Sequence, residues 1–191
     1  MKFTRTKISD VIICEPTVHS DKRGYFMETF RQDQLNSFLD TPIHFCQDNE
    51  SQSNTGVLRG LHFQETPHSQ TKLVHVIHGS IYDVAVDIRK ESPTFGQYTS
   101  ITLSASNKKQ LLIPKGFAHG FVVLEDQTIV SYKVDQLYYP EADRGIAFND
   151  PDLGIKWPLP ATKIQLSQKD TTHPTLNEYM TQLSKANDTN D

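Results

Sequence analysis

Residues 71–89, TKLVHVIHGSIYDVAVDIR, hold two strand-length apolar runs on either side of the turn signal His78-Gly79-Ser80. In the second run Tyr82, Val84, Val86 and Ile88 share one face, and Ile81, Asp83, Ala85 and Asp87 share the other. Working outward, the same period continues. TSITLS (99–104), QLLIP (110–114, stopped by Pro114), HGFVVLED (119–126), TIVSYKV (128–134) and VLRGLHFQ (57–64) all read as strands. Short strands with turn signals at close intervals predict an all-β sandwich or barrel. Helix signals are few. RQDQLNSFLD (31–40) carries a short helix with Leu35, Phe38 and Leu39 inward. Leu176, Tyr179, Met180 and Leu183 follow the i, i+3, i+4, i+7 spacing, which predicts a helix from Thr175 to about Lys185 and a frayed polar tail over about 186–191.

The chain of 191 residues suits one domain over its whole length, with no repeat and no linker to divide it. Apolar residues make up 36%, low for a globular domain, but 9% aromatics exclude a disordered chain. A formal charge of −4 argues against a nucleic-acid or membrane-surface binder, which carries a basic footprint. Cys14 and Cys46 lie far apart with no CxxC pairing, so neither a structural zinc site nor a disulfide scaffold is expected. The charged start, followed by an apolar run of only three residues, gives no signal peptide or membrane span, and a cytoplasmic protein is expected.

Chemistry enters at VLRGLHFQ. Arg59 and His62 sit three apart, which in an ideal strand puts them on opposite faces. Gly60 between them permits a bulge that turns both to one side. Alone, the pair reads as an exposed arginine and a satisfied core histidine. It is not alone, because IPKGFAHGF delivers His119 after a proline–glycine turn, half of the cupin signature P-x-G-x-x-H. The other half, G-x5-H-x-H, is met by Gly56 and His62 and then fails at Gln64, with no glutamate following. The metal ligand set is therefore incomplete, no metal is expected, and the histidines are free for acid–base work. Lys72, His75 and Tyr132 fall on strands. Asp83 and Asp87 share a strand face and are expected to make structural salt links with nearby lysine and arginine. His68 and His78 are expected in solvent. His19, His44 and His173 stand in loops with no evident partner.

Seven stretches carry a resemblance. DKRGYFMETF (21–30), FCQDNESQS (45–53), VLRGLHFQ, QTKLVHVIHGSIYDVAVDIRKESPTFG (70–96), LLIPKGFAHGFVVLED (111–126), YKVDQLYYPEADRGIAFNDPDLGIKWP (132–158) and LSQKD (166–170) resemble, in order, the dTDP-4-dehydrorhamnose 3,5-epimerases of deoxysugar biosynthesis. The resemblance implies a cupin-type jelly roll, a homodimer with a shared active site, no cofactor and no metal. It implies a dTDP-linked 4-keto-6-deoxy sugar as substrate. His62 matches the general base, Asp170 the carboxylate that orients it, Tyr132 the acid on the opposite face and Lys72 the cation that stabilises the enolate. Arg59 and His119 match substrate-holding residues, with Arg59 on the diphosphate. Arg23, Glu28, Gln47, Asp48 and Asn49 match nucleotide-binding positions, some supplied across the dimer. Tyr138 matches the aromatic that stacks on thymine, and Lys169 a basic substrate contact. Asp143 matches a substrate contact where the family usually has glutamate. Phe148 replaces the usual tryptophan, a packing change.

Three other readings compete. A single-centre epimerase would use the same proton-removing residues. A metal-dependent cupin oxygenase or isomerase lacks its ligand set here. A nucleotide-sugar binder without turnover would need neither a base nor an opposed acid.

Overall fold

The computed structural model describes residues 1–188. In chain order its strands are β1 (Lys2–Arg5), β2 (Ile12–Glu15), β3 (Val18–Asp21), β4 (Gly24–Met27), β5 (Gln47–Ser53), β6 (Leu58–Gln64), β7 (Lys72–His78), β8 (Ser80–Asp87), β9 (Tyr98–Ser104), β10 (Gln110–Ile113), β11 (Phe117–Val123), β12 (Thr128–Val134) and β13 (Asp143–Gly145). Two helices flank them, α1 (Gln32–Phe38) and α2 (Leu176–Asp188). The strands form a six-stranded sheet, β1-β2-β10-β7-β12-β5, and a five-stranded sheet, β13-β6-β11-β8-β9. A separate β3–β4 hairpin completes the set. The fold is the expected all-β jelly-roll sandwich, with two open sheets rather than a closed barrel.

The period-2 pattern of residues 71–89 explains the layers. Gly79 does not make a hairpin; it passes the chain from the six-stranded to the five-stranded sheet. Ile81 and Ala85 then point between the sheets, where they meet Val74, Val76, Leu111, Phe121 and Val130. Each of the larger of these, such as Ile81 and Leu111, stabilises the sandwich by about 1.5–3 kcal/mol when fully buried. Val84 and Val86 point the other way and are covered too, by Leu61, Ile146, Leu153 and the α2 residues Leu176 and Tyr179. Both faces of β8 are therefore dry, which explains why Asp83 and Asp87 are buried. Asp87 makes the expected structural link, accepting from Arg89, Ser92 and Thr94. Asp83 instead faces His119.

α1 buries Leu35 as expected, with Phe38 and Leu39 packed beside it. α2 begins in a reciprocal cap: Thr175 N–H donates to Glu178 Oε2 at 2.8 Å, and Glu178 N–H to Thr175 Oγ1 at 3.3 Å. The helix continues to Asp188, and residues 189–191 of the tail expected to fray lie outside the described residues. Cys14 and Cys46 are both free thiols. Among the described residues no helix is long and apolar enough to cross a membrane.

Candidate active site

β6 and β11 lie side by side in the five-stranded sheet, and their register slips. His62 pairs with His119, but Arg59 pairs with Phe121, so Gly60 and Leu61 together oppose Gly120. Gly60 has φ +137°, and a Cβ there would run into the Gly120 backbone, so only glycine fits. The bulge does what the sequence anticipated. Arg59 and His62 line one cavity of about 420 Å³, together with Lys72, His119, Tyr132 and Asp170. A second recess of about 240 Å³ shares His62, Lys72 and Tyr132, and adds Gln47, Asn49, Tyr138 and Asp143. The site is one cleft between the two sheets.

Asp170 lies 108 residues from His62 and reaches it through a short parallel bridge. Val57 pairs with Gln165, Leu58 N–H donates to Gln165 O, and Gln165 N–H to Gly56 O. The chain then turns through Ser167, whose Oγ accepts from Asp170 N–H, and the carboxylate meets His62 Nε2 at 2.6 Å. Burial alone would raise the Asp170 carboxyl; the hydrogen bond and charge of His62, with Ser167 and His173, outweigh it and hold the group below its ordinary value. An ionised Asp170 fixes the His62 proton on Nε2 and leaves Nδ1 with a lone pair.

His119 is buried, with Nε2 at 3.0 Å from Asp83. Arg59 donates from Nε and Nη2 to Ser53 Oγ and meets no carboxylate among the described residues, so its fork stays available to an anion. Tyr132 Oη makes no hydrogen bond among the described residues, against the core-tied hydroxyl of an ordinary packed tyrosine. Burial, only partly offset by Arg59, raises its pKa and keeps it protonated at neutral pH. Burial also pushes the Lys72 ammonium down to about 8, with Asp143 and Asp83 pulling the other way.

That value sets a pH prediction. An enolate-stabilising Lys72 works only while charged, so turnover falls as pH rises past about 8. Stability moves oppositely. Between about 8 and the ordinary lysine value of 10.5 the unfolded chain holds the proton that the folded one has lost, so Lys72 makes stability rise with pH across that window. Measuring kcat and the denaturation midpoint on the same samples checks both; a turnover flat to pH 10 while stability rises across that window removes the role of Lys72.

Not every expected residue arrives. β5 alternates, so Gln47 and Asn49 face the cleft while Asp48 points away and pairs with Lys133 at 2.9 Å. Arg23 lies on the β3–β4 hairpin, bound to Asp21, and Glu28 pairs with Arg31; within one chain neither reaches the cleft. Asp143 does, accepting from Tyr138 Oη at 3.0 Å and from Lys169 Nζ, so a single carboxylate ties two expected substrate contacts together. Gln64, where a cupin histidine would stand, holds the neighbouring loop: Nε2 donates to His68 O and Leu137 O, and Oε1 accepts from Tyr139 N–H. His68 is not simply solvated but stacks on Tyr139, whereas His78 is exposed as expected.

His173, a loop residue with no evident partner in the sequence, has its ring buried against the dyad. Among the described residues, His62, Asp170 and His173 are the group that brings three possible metal-ligand atoms within 4.8 Å. The 2.6 Å between His62 and Asp170 is proton-bridged spacing; two ligands about 2.1 Å from one zinc sit farther apart.

The model of the dTDP-4-dehydrorhamnose 3,5-epimerase family matches residues 5–178. The chain is similar to the dTDP-4-dehydrorhamnose 3,5-epimerase of Methanothermobacter thermautotrophicus, 51% identical over 93% of this chain and 95% of the relative. It is similar to the Escherichia coli enzyme of that name, 50% identical over 94% and 97%. Among solved structures it resembles a dTDP-6-deoxy-D-glucose-3,5-epimerase from Legionella pneumophila in complex with dTDP-4-keto-L-rhamnose. That match has a TM-score of 0.88 and 46% identity, over 92% of this chain and 93% of the other.

Proposed function

The chain belongs to the dTDP-4-dehydrorhamnose 3,5-epimerase family and is an isomerase, and we propose a mechanism in which its two sheets supply a base and an acid from opposite walls of one cleft. The substrate is dTDP-4-dehydro-6-deoxy-D-glucose, inverted at C3 and C5 to dTDP-4-dehydro-L-rhamnose. The observation that carries the mechanism is the placement of His62 on the five-stranded sheet and Tyr132 on the six-stranded sheet, with both lining the same cavity.

The C4 ketone makes the hydrogens on C3 and C5 acidic, since loss of either leaves an enolate. His62 Nδ1 takes the proton, and Asp170 stabilises the resulting imidazolium. The Lys72 ammonium faces the enolate oxygen in a partly dry cleft, where a fixed charge counts most. Tyr132 delivers its hydroxyl proton to the opposite face, which inverts the centre. His62 then releases its proton and Tyr132 regains one, so no net proton is consumed before the second centre reacts. Each proton step falls to a side chain of the chain, and the reading calls on no cofactor.

Arg59 and Lys169 suit the diphosphate, His119 the sugar, and Tyr138 the thymine face, beside Gln47 and Asn49. Arg23 and Glu28 fit the site only as Arg23 and Glu28 of the partner subunit in a homodimer. The hairpin that carries Arg23 exposes Tyr25 and Phe26, as an arm reaching for a second chain would. Sedimentation at twice the chain mass is the expected result.

The test of the activity is exchange in deuterated water, followed by NMR. Deuterium at both C3 and C5 with the L-configured product is expected. Label at one carbon only would reassign the chain to single-centre epimerisation. No label despite tight binding would make it a binder.

A further inference from the structure

We propose that His173 is a positioning residue for the catalytic base, a buried ring wedged beneath His62 that sets the plane in which His62 meets Asp170 and the substrate. The proposal rests on the reading of His62 as the base.

The two rings meet edge to face, with centroids 5.5 Å apart and planes at 90°. The His173 side chain is 8% exposed, whereas that of His62 is 32% exposed, so His62 opens to the cleft on one side and is backed by His173 on another. Both ring nitrogens of His173 are buried without a hydrogen-bond partner. A buried polar group left unpaired disfavours folding, so the ring is not there to satisfy its own polar atoms. Its Nδ1 stands 3.9 Å from Asp170 Oδ1, outside hydrogen-bond range, while His62 Nε2 holds the same oxygen at 2.6 Å. Of the two histidines, only His62 hydrogen-bonds Asp170.

Burial holds the His173 imidazole below its ordinary pKa; the charges of His62 and Lys169 act in the same direction, and those of Asp170 and Asp143 against it. A ring held toward its neutral form competes less for the Asp170 charge and repels less the imidazolium that forms on His62.

The space for the ring is built into the sheet. Gly145 is the β13 residue paired with His62, and a Cβ at that position would fall within the His173 ring. The segment is pinned on its far side by Ala147 N–H donating to Pro174 O at 2.8 Å. Three distant pieces of chain, β6, β13 and the turn after Asp170, thereby fix one imidazole plane.

The experiment compares His173→Ala, His173→Phe and Gly145→Ala with the unaltered chain, reading kcat, KM, dTDP affinity and the melting midpoint. His173→Ala should lower kcat about tenfold, since a base tilted out of line loses its near-attack geometry. KM and dTDP affinity should stay within about twofold, because the ring contacts no substrate. His173→Phe, which keeps a flat ring and removes both nitrogens, should restore most of the loss. Gly145→Ala should reproduce it, because the methyl displaces the ring while residue 173 itself stays histidine. Unchanged kcat in His173→Ala or Gly145→Ala overturns the proposal. So does an equal loss in His173→Ala and His173→Phe with dTDP binding intact, which would place the role in the nitrogens. Full activity in His62→Ala would instead remove the base assignment on which the proposal stands, a result none of the other variants can mimic.

Discussion

Replacing His62 by alanine is expected to lower kcat on the order of 10³-fold, within the range a general base contributes. Deuterium exchange at C3 and C5 should fall with it. Both losses follow from one step, since the imidazole that would take the proton is gone and the neighbouring His119 is already held by Asp83. Affinity for dTDP should change by no more than about threefold if, as proposed, Arg59, Gln47, Asn49 and Tyr138 hold the nucleotide, because none of them hydrogen-bonds to His62 or Asp170. Asp170→Asn separates orientation from charge. The amide can keep the 2.6 Å neighbour in place but offers no negative charge to the imidazolium, and it can reverse the tautomer. A fall in kcat of about 10²-fold or more is expected, again with dTDP binding retained. Exchange at the unaltered rate in His62→Ala would show that His62 is not the base; in Asp170→Asn it would remove the role of the Asp170 charge.

The strands were legible because alternation is a local property, and residues 71–89 state it plainly. What the local pattern could not state was which sheet each strand joins. Gly79 looks like a hairpin turn in the sequence, but it is a crossing between layers, because β7 pairs with β10 and β12 while β8 pairs with β9 and β11. The bulge at Gly60 was legible for a chemical reason: an arginine and a histidine three apart can share a cleft only if one residue is taken out of the alternation. Asp48 could have been placed by the same period, since it lies between Gln47 and Asn49 and must face away from them.

Pairings across the fold were not legible from local pattern. Nothing near Asp170 in the sequence points to His62, and nothing near Asp83 points to His119. The expected lysine or arginine partner of Asp83 proved to be a histidine from the adjacent strand, delivered by the Ala85–His119 register. His173 was hidden for the same reason, since its burial depends on a glycine 28 positions earlier that only β13 brings alongside. Arg23 and Glu28 are a different case, because one chain alone does not complete their surroundings.

Tyr132→Phe should give the second large effect, and one that differs in kind. His62, Asp170 and Lys72 remain, so proton removal and the enolate remain. What is lost is the proton donor on the wall of the six-stranded sheet. The enolate is then reprotonated by the imidazolium it came from, on the face that lost the proton, and the centre keeps its configuration. Formation of the L-configured product should fall on the order of 10²- to 10³-fold, while deuterium continues to enter the unchanged D-configured substrate. His62→Ala loses both readouts together; Tyr132→Phe separates them. Removing the phenol hydroxyl does not alter the charge of Lys72, so the fall in turnover above about pH 8 should persist in what activity remains. If instead the phenylalanine variant inverts both centres at the rate of the unaltered chain, the acid is another group at that wall. Lys72, on the same sheet and lining the same cavity, would then be the first donor to examine, ahead of Tyr138, which is tied through its hydroxyl to Asp143.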